Sequence, residues 1–142
     1  TNAYAALTAE EKTFAKNTIV VYAPHPYIFI SKCKATDDGF TIVSEGNELE
    51  IGDGKEESPN SVPKWEDSKL KRLPLVWTNP VTGRNHLQAH GCCVLRLETY
   101  DGPVTKENME SGKLKLVNSL SLEESRSKLH SLFGRSIAPG RI

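Results

Sequence analysis

Hydrophobic residues occur in short runs along the chain, and their spacing predicts brief strands with a helix near each end. Thr8–Glu11 has the sequence of a helix capping box, and the residues after it predict a short helix that ends near Asn17. The β-branched, apolar run Thr18–Tyr22 follows at once and predicts a strand. Ser121–Glu124 is a second capping box, and the helix behind it is expected to end near Gly134.

The middle of the chain is predicted to be a hairpin flanked by loops. Leu75–Trp77 is a compact apolar run, residues 79–84 have the composition of a turn, and Leu87–Leu97 predicts the second strand. Residues 99–113 are expected to be a loop. Residues 46–63 are rich in Gly, Glu, Asn, Ser and Pro, which predicts a surface loop. Short strands with helices at the margins favour a β-rich α+β domain.

Composition narrows the class of protein. The chain has 142 residues, enough for one domain with a core, and its 18 basic and 18 acidic residues give zero net charge. That balance argues against nucleic-acid and acidic-membrane partners, and no apolar run approaches the roughly 18 residues of a membrane helix. Three cysteines, two of them adjacent, make a poor disulfide framework. We therefore expect reduced thiols and a cytoplasmic protein.

The ends of the sequence suggest a segment of something longer. The chain starts at Thr1 without a methionine, and it stops at Ile142 just after a loop-like Ala-Pro-Gly-Arg stretch. We expect residues 1–142 to be a single partial domain.

The histidines are the first candidates for chemistry. A mononuclear non-haem iron site takes two histidines and one carboxylate, with a local His-x-Asp or His-x-Glu pair because alternate strand residues face the same way. The four histidines are His25, His86, His90 and His130. The residues two positions after them are Tyr27, Gln88, Cys92 and Leu132, none of them acidic. The sequence therefore predicts no metal site within this segment.

Two groups of polar residues leave alternatives open. If Leu87–Leu97 is one strand, then His86, Gln88 and His90 share a face. That face is solvated, or it forms the polar wall of a cavity, or it supplies two metal ligands. His25 lies between two prolines, which fixes its ring either in a surface loop or against a pocket.

The cysteine pair is interpreted as structural. Adjacent residues of a strand face opposite sides, so Cys92 and Cys93 cannot both bind one ion without a bulge. A nucleophilic cysteine needs a base and a cationic environment, and the spacing to His90 fits no such arrangement. We expect two small buried residues.

Beyond these patterns, Leu73–Leu97 resembles a characteristic segment of the taurine dioxygenase superfamily of Fe(II)/2-oxoglutarate-dependent enzymes. The resemblance rests on the Leu-Pro-Leu-Val strand from Leu73, the Pro-x-Thr-Gly-Arg turn and the leucine that follows. Fungal members similar to xanthine dioxygenase match better, with Trp77, the Asn-Pro-Val-Thr-Gly of residues 79–83 and the His-Leu-Gln of residues 86–88. Residues 22–27 look like the same fungal group, and the resemblance covers most of the chain.

The resemblance implies a double-stranded β-helix, or jelly-roll, core with flanking helices. It implies Fe(II) as cofactor, 2-oxoglutarate as co-substrate and hydroxylation of a small molecule. The family's iron ligands and its 2-oxoglutarate-binding arginine would lie outside residues 1–142, which match the middle to late part of the core. No catalytic residue is therefore assigned, and the segment alone is predicted to be inactive. The regions that approach the family's substrate pocket supply four candidates: Tyr22, His25, His90 and Cys93.

Three functions are consistent with the sequence. The leading one is a fragment of a 2-oxoglutarate-dependent dioxygenase acting on a small molecule such as xanthine. A related dioxygenase acting on a sulfonate or aryloxyacid is the second. The third is a non-catalytic β-rich binding or interaction domain. A cut jelly roll would expose strand edges and apolar faces, so the segment expressed alone is predicted to be poorly stable and prone to aggregation.

Overall fold

The computed structural model describes residues 3–24, 33–35, 42–44 and 64–137. The strands of these residues are β1 (Thr18–Tyr22), β2 (Cys33–Ala35), β3 (Ile42–Ser44), β4 (Lys71–Pro74), β5 (Val76–Thr78), β6 (Asn85–Leu87), β7 (Val94–Tyr100) and β8 (Leu116–Ser119). Their α-helices are α1 (Ala9–Lys16), α2 (Lys106–Glu110) and α3 (Leu122–Ile137). Single 3-10 turns span Ala3–Ala6, Asp67–Lys69 and Gly91–Cys93. This mixture of helices and antiparallel strands is consistent with the predicted β-rich α+β class.

Both predicted capping boxes are present. The Thr8 Oγ1 accepts from the Glu11 N–H at 3.2 Å, and the Glu11 carboxylate accepts from the Thr8 N–H at 2.8 Å. Ser121 and Glu124 make the same exchange ahead of α3, at 3.2 and 2.7 Å. α1 ends at Lys16 as expected, but α3 continues through Gly134 to Ile137. Burial of its inner face outweighs the cost of about 1 kcal/mol for a helical glycine.

The main sheet of the described residues has four antiparallel strands in the order β4-β1-β7-β8. β1 lies in its centre, and all five of its residues are buried, as the apolar run predicts. Val20 is paired with Leu73 on one side and with Leu97 on the other. A register shift between Val21 and Tyr22 marks where β1 approaches the start of β7.

One face of this sheet packs against α3. Val20 and Leu97 join Leu129 and Leu132 of α3 in a buried apolar cluster, which also includes Tyr4 from the N-terminal 3-10 turn. The opposite face carries charged side chains, because Arg72 and Arg96 are both paired with Val21 across the strands. The sheet therefore has one apolar face and one ionic face.

The predicted hairpin is present as β5 and β6, with Trp77 opposite His86. The Asn79 side-chain oxygen accepts from the N–H groups of Val81 and Thr82, at 2.9 and 3.1 Å. Gly83 has φ +67°, which favours glycine in the turn. The predicted strand Leu75–Trp77 is shifted, since Leu75 forms a buried bend between β4 and β5.

The prediction that Leu87–Leu97 is one strand is wrong. β6 ends at Leu87, and the 3-10 turn Gly91–Cys93 precedes β7. The chain must turn there because β6 pairs with β5, whereas β7 pairs with β1 in another sheet. A shared strand face for His86, Gln88 and His90 is wrong for the same reason, and so is a strand geometry for the cysteine pair.

The predicted loop at 99–113 is only partly right. β7 runs on through Tyr100, and Thr105 caps α2 within the supposed loop, accepting at 3.1 Å from the Asn108 N–H. The sequence analysis also missed β8.

β2 and β3 pair as Cys33↔Ser44 to Ala35↔Ile42. The predicted loop 46–63 and His25 lie outside the described residues. In the described part of the chain, no helix has the length and apolarity to cross a bilayer.

Candidate functional site

Three of the four candidate pocket residues lie together at the end of the central strand. Tyr22 is the last residue of β1 and is buried, as is Cys93. The Tyr22 hydroxyl is hydrogen-bonded to the backbone of His90, and Cys93 acts electrostatically on the same hydroxyl. We call Tyr22, His90 and Cys93 the strand-end cluster. The fourth candidate, His25, lies outside the described residues.

Local backbone geometry builds this cluster. The 3-10 turn at Gly91–Cys93 is closed by the Cys93 N–H donating to the His90 carbonyl at 3.0 Å. The Ala23 N–H then donates to the Cys93 carbonyl at 2.8 Å, which ties the turn to the residue after β1. The pairing of Tyr22 with Val94, displaced by the register shift, sets the tyrosine beside the turn. The break in the expected strand is therefore what brings the cluster together.

The surroundings of the cluster are apolar. Tyr22 and Cys93 belong to the same buried apolar core as Leu75 and Val94, and Leu87 and Ala89 pack against that core. Burial raises the pKa of the Tyr22 hydroxyl, the hydrogen bond with the His90 backbone opposes that rise, and the electrostatic influence of Cys93 adds to it. Tyr22 is therefore a neutral phenol at physiological pH. It can donate or accept a hydrogen bond, which suits orientation of a ligand rather than proton transfer.

Cys93 is buried, as expected for a small core residue. His90 contacts the Tyr22 hydroxyl through its backbone, and the residue as a whole is exposed. The cluster thus presents a hydroxyl at an apolar strand end.

The described residues do not fit the iron site that the resemblance implies. Among them, no group of three or more His, Cys, Asp or Glu side chains could hold a metal ion. His86 stacks at 5.7 Å on Trp77 of the hairpin, with an interplanar angle of 39°. His130 is exposed on α3. The described side chains therefore supply no iron site of their own.

A charged cluster on the ionic face of the sheet escaped the sequence analysis. Glu98 is only 6 % exposed, yet it accepts from Arg72 Nε at 3.3 Å and from Arg96 Nε at 3.0 Å. The Tyr100 hydroxyl lies 3.4 Å from the same carboxylate. Arg72 also forms a bidentate salt bridge with the Asp67 carboxylate, at 2.7 and 3.2 Å. The alternation Arg96-x-Glu98-x-Tyr100 is the signal that could have revealed it, since alternate strand residues share a face.

The pKa shifts in this ionic cluster follow its contacts. A hydrogen bond from Arg72 lowers the pKa of Asp67, and the same bond raises the pKa of Arg72. Burial raises the pKa of Tyr100, and the nearby Glu98 charge raises it further. Opposite charges are matched here, so the cluster acts as a structural clamp between β4 and β7.

An open groove of about 450 Å³ lies along α3, apart from both clusters. It is lined by Leu120, Glu123, Glu124, Ser127, Lys128 and Ser131. Glu124 is already committed to the capping box, and Lys128 lies over the Phe14 ring at 4.5 Å. The groove therefore shows no convergent set of polar groups.

Comparison with curated proteins gives the family. The chain is 42 % identical over 104 residues to an α-ketoglutarate-dependent xanthine dioxygenase of Schizosaccharomyces pombe, covering 72 % of this chain. It is 34 % identical over 139 residues to the corresponding enzyme of Neurospora crassa, covering 98 % of this chain. An α-ketoglutarate-dependent dioxygenase of Phomopsis amygdali is 33 % identical over 100 residues, or 70 % of this chain. No family model and no solved structure matches.

These similarities place the chain among the α-ketoglutarate-dependent dioxygenases, α-ketoglutarate being another name for 2-oxoglutarate. Within that class it is homologous to the fungal xanthine dioxygenases, so the resemblance seen at Leu73–Leu97 is confirmed. The chain spans only about a quarter of the length of these relatives, 23 % of the first and 28 % of the second.

Proposed function

We propose that residues 1–142 are part of a longer Fe(II)/2-oxoglutarate-dependent dioxygenase that hydroxylates xanthine. The observation that carries the proposal is the alignment with the Neurospora crassa xanthine dioxygenase, which extends over 98 % of this chain. None of the matched relatives is named for a sulfonate or an aryloxyacid, the two alternative substrates. We refer below to the longer enzyme as the parent protein, and we place it in the cytoplasm.

In the parent protein, the segment is a partial domain from the middle to late part of a jelly-roll core. An antiparallel sheet supports this assignment, because a jelly roll is built from antiparallel strands. The iron ligands and the arginine that binds 2-oxoglutarate belong to other parts of the parent protein.

The strand-end cluster is proposed to contribute to the wall of the substrate pocket. A pocket for a flat, polar heterocycle needs apolar walls and a few placed hydrogen-bonding groups. Tyr22 offers one such hydroxyl in apolar surroundings, beside Cys93 and the exposed His90. His25 is proposed to belong to the same wall, because it follows Tyr22 by three residues and is held between two prolines.

The test is turnover of 2-oxoglutarate by the purified parent protein, followed as succinate formation with Fe(II) and ascorbate present. Xanthine should stimulate succinate formation, whereas taurine and an aryloxyacetic acid should not. Equal stimulation by taurine would favour the sulfonate alternative. Failure of every substrate to stimulate, in protein that binds 2-oxoglutarate, would refute xanthine as the substrate. The 142-residue segment should give no turnover at all.

A further inference from the structure

The two outer strands of the main sheet differ in how their edges are protected. In the described part of the chain, β4 and β8 each have a single neighbour, and both have four residues. β4 has the sequence Lys-Arg-Leu-Pro. Charged residues and proline are the usual means of preventing another strand from pairing with an edge. The β4 edge is therefore protected.

The β8 edge has none of these features. Its sequence is Leu-Val-Asn-Ser, without charge or proline, and all four residues are exposed. Leu116 is 53 % exposed and Val117 is 66 % exposed. Successive residues of a strand point to opposite faces, so apolar surface is uncovered on both sides of this edge. An open, uncharged and apolar edge is a site where a further strand pairs.

We propose that the β8 edge is where a strand from another part of the parent protein, outside residues 1–142, joins the sheet. The occupant would pair with the backbone of β8 and cover Leu116 and Val117. The N-terminal flank of β8 carries Lys113 and Lys115, so an acidic residue beside the incoming strand would suit the site. The main sheet would then have at least one more strand than the described residues supply.

The length of the relatives favours an occupant from the same polypeptide. This chain covers 28 % of the Neurospora crassa enzyme while being aligned over 98 % of itself, so most of such a protein lies elsewhere. A second copy of the chain is a poorer occupant. Two four-residue strands side by side bury much less than the roughly 1,200 Å² of a stable interface. The inference rests on the proposal that a longer enzyme contains the segment, but its readout is independent of turnover.

Residue-resolved amide hydrogen exchange on the unmodified parent protein tests the proposal directly. In an antiparallel strand, the N–H groups of alternate residues point to opposite neighbours. A strand paired on both sides protects every amide from 116 to 119. A free edge leaves alternate amides exchanging at the rate of an open loop. Protection of all four in a monomer is the expected result, and alternating fast exchange would overturn the proposal.

Paired substitutions provide the second measurement. Val117→Lys should lower the apparent Tm of the parent protein by about 5 °C or more, because it places a charge in the new contact. Val81→Lys is the matched control, since Val81 is 90 % exposed at the hairpin turn, away from the edge. It should leave Tm within about 1 °C. Equal effects of the two variants would contradict the proposal, as would a wild-type dimer that Val117→Lys converts to monomers.

Loss of xanthine turnover with full protection of β8 would refute the proposed function alone. Normal turnover with a freely exchanging β8 edge would refute the docking proposal alone. If Val117→Lys fails to fold, the amide hydrogen exchange of residues 116–119 in the unmodified protein still shows whether a further strand pairs with β8.

Discussion

Leu97 of the sheet donates its backbone N–H to the Oγ of Ser125 in α3, at 2.9 Å. The Leu97 carbonyl accepts from the Leu120 N–H at 2.9 Å, just beyond the end of β8. β8 stops at Ser119, so these two bonds satisfy the backbone groups of Leu97 that a longer β8 would have paired. Ser125 is fully buried and thereby joins the helix to the sheet.

Ser125→Ala should destabilise the parent protein by about 1–3 kcal/mol, because it leaves the buried Leu97 N–H without an acceptor. Ser131→Ala is the matched control on the same helix, since Ser131 is exposed and its hydroxyl donates to the Lys128 carbonyl of the same helix. It should change the free energy of unfolding by less than about 0.5 kcal/mol. Urea unfolding of the two variants gives the comparison, and equal stabilities would show that the Leu97–Ser125 bond matters little.

Ser136→Ala should stabilise the parent protein, whereas Ser125→Ala should destabilise it. Ser136 is buried on α3, and within the described residues its hydroxyl has no hydrogen-bond partner. Replacing an unsatisfied buried hydroxyl by a methyl group removes a desolvation cost, and alanine is the better helix former. We expect a gain of about 0.5–2 kcal/mol in the free energy of unfolding, measured beside Ser125→Ala. A loss would indicate that another part of the parent protein bonds to this hydroxyl.

Glu98→Gln should weaken the clamp between β4 and β7. It removes the charge that Arg72 and Arg96 share, although both guanidinium groups are about one-third exposed, at 29 and 32 %. That exposure reduces the expected loss to about 1–2 kcal/mol, below the value for a fully buried pair. The pKa of Tyr100 should also fall towards its ordinary value, because the Glu98 charge helps to raise it. Thermal unfolding and absorbance titration of tyrosinate measure the two effects.

Asp67→Asn is the control for that variant. Asp67 is exposed and contacts the same Arg72, so its removal should lower the Tm by less than Glu98→Gln does. It should leave the titration of Tyr100 unchanged. If Asp67→Asn is as damaging as Glu98→Gln, burial of the Glu98 carboxylate is not what gives the clamp its strength.

The two capping boxes predict that the stability of the folded protein falls at acid pH. Backbone hydrogen bonds from Thr8 and Ser121 lower the pKa of Glu11 and Glu124 below the ordinary 4.5. The unfolded chain therefore takes up protons before the folded one as the pH falls. The stabilisation from each carboxylate is fully present above about pH 4.5 and is lost as the pH drops through the lower folded pKa.

Glu124→Gln isolates this effect, because glutamine can still complete a capping box but does not titrate. Wild type should be the more stable protein at pH 6, and the difference in Tm should shrink towards pH 3. Glu123→Gln is the control, since Glu123 is outside the box. A Tm difference for Glu124→Gln that stays constant across this range would contradict the assignment.

Tyr22→Phe tests the strand-end cluster. Loss of the hydroxyl should leave the ring packing intact, cost about 1 kcal/mol of stability and reduce kcat/KM for xanthine by about tenfold. Tyr100→Phe is the control, because Tyr100 belongs to the ionic face instead. It should leave kcat/KM within about twofold. Steady-state kinetics of the parent protein provides the measurement, and unchanged kinetics for Tyr22→Phe would remove this residue from the proposed pocket.

Local signals explain which parts of the structure could be predicted from sequence. Both capping boxes and the β5–β6 turn are encoded by neighbouring residues, so they were found with nearly correct bounds. β7 and its neighbours were misjudged because their ends depend on distant partners. An apolar run such as Leu87–Leu97 cannot show where pairing passes from β5 to β1. β8 was missed because its sequence carries no alternation, and its position is set by β7.

The candidate site likewise combines features that a local sequence pattern reveals with features that depend on distant partners. Tyr22, His90 and Cys93 were selected from the family resemblance, and the structure brings them together through a register shift and a turn that no local pattern announces. Their role in binding substrate stays a prediction. The Glu98 cluster had a visible local signal in β7, but Arg72 joins it from 26 positions away in sequence.

The position of β1 in the centre of the sheet has a consequence for biosynthesis. β1 leaves the ribosome well before its neighbours in the sheet, because Thr18 meets Thr99 of β7 only after 81 further residues have been added. Its other neighbour, β4, also comes much later in the chain. Such non-local pairing slows folding, and an apolar strand stays unpaired meanwhile. We therefore expect nascent chains of this protein to engage chaperones until Tyr100 has emerged.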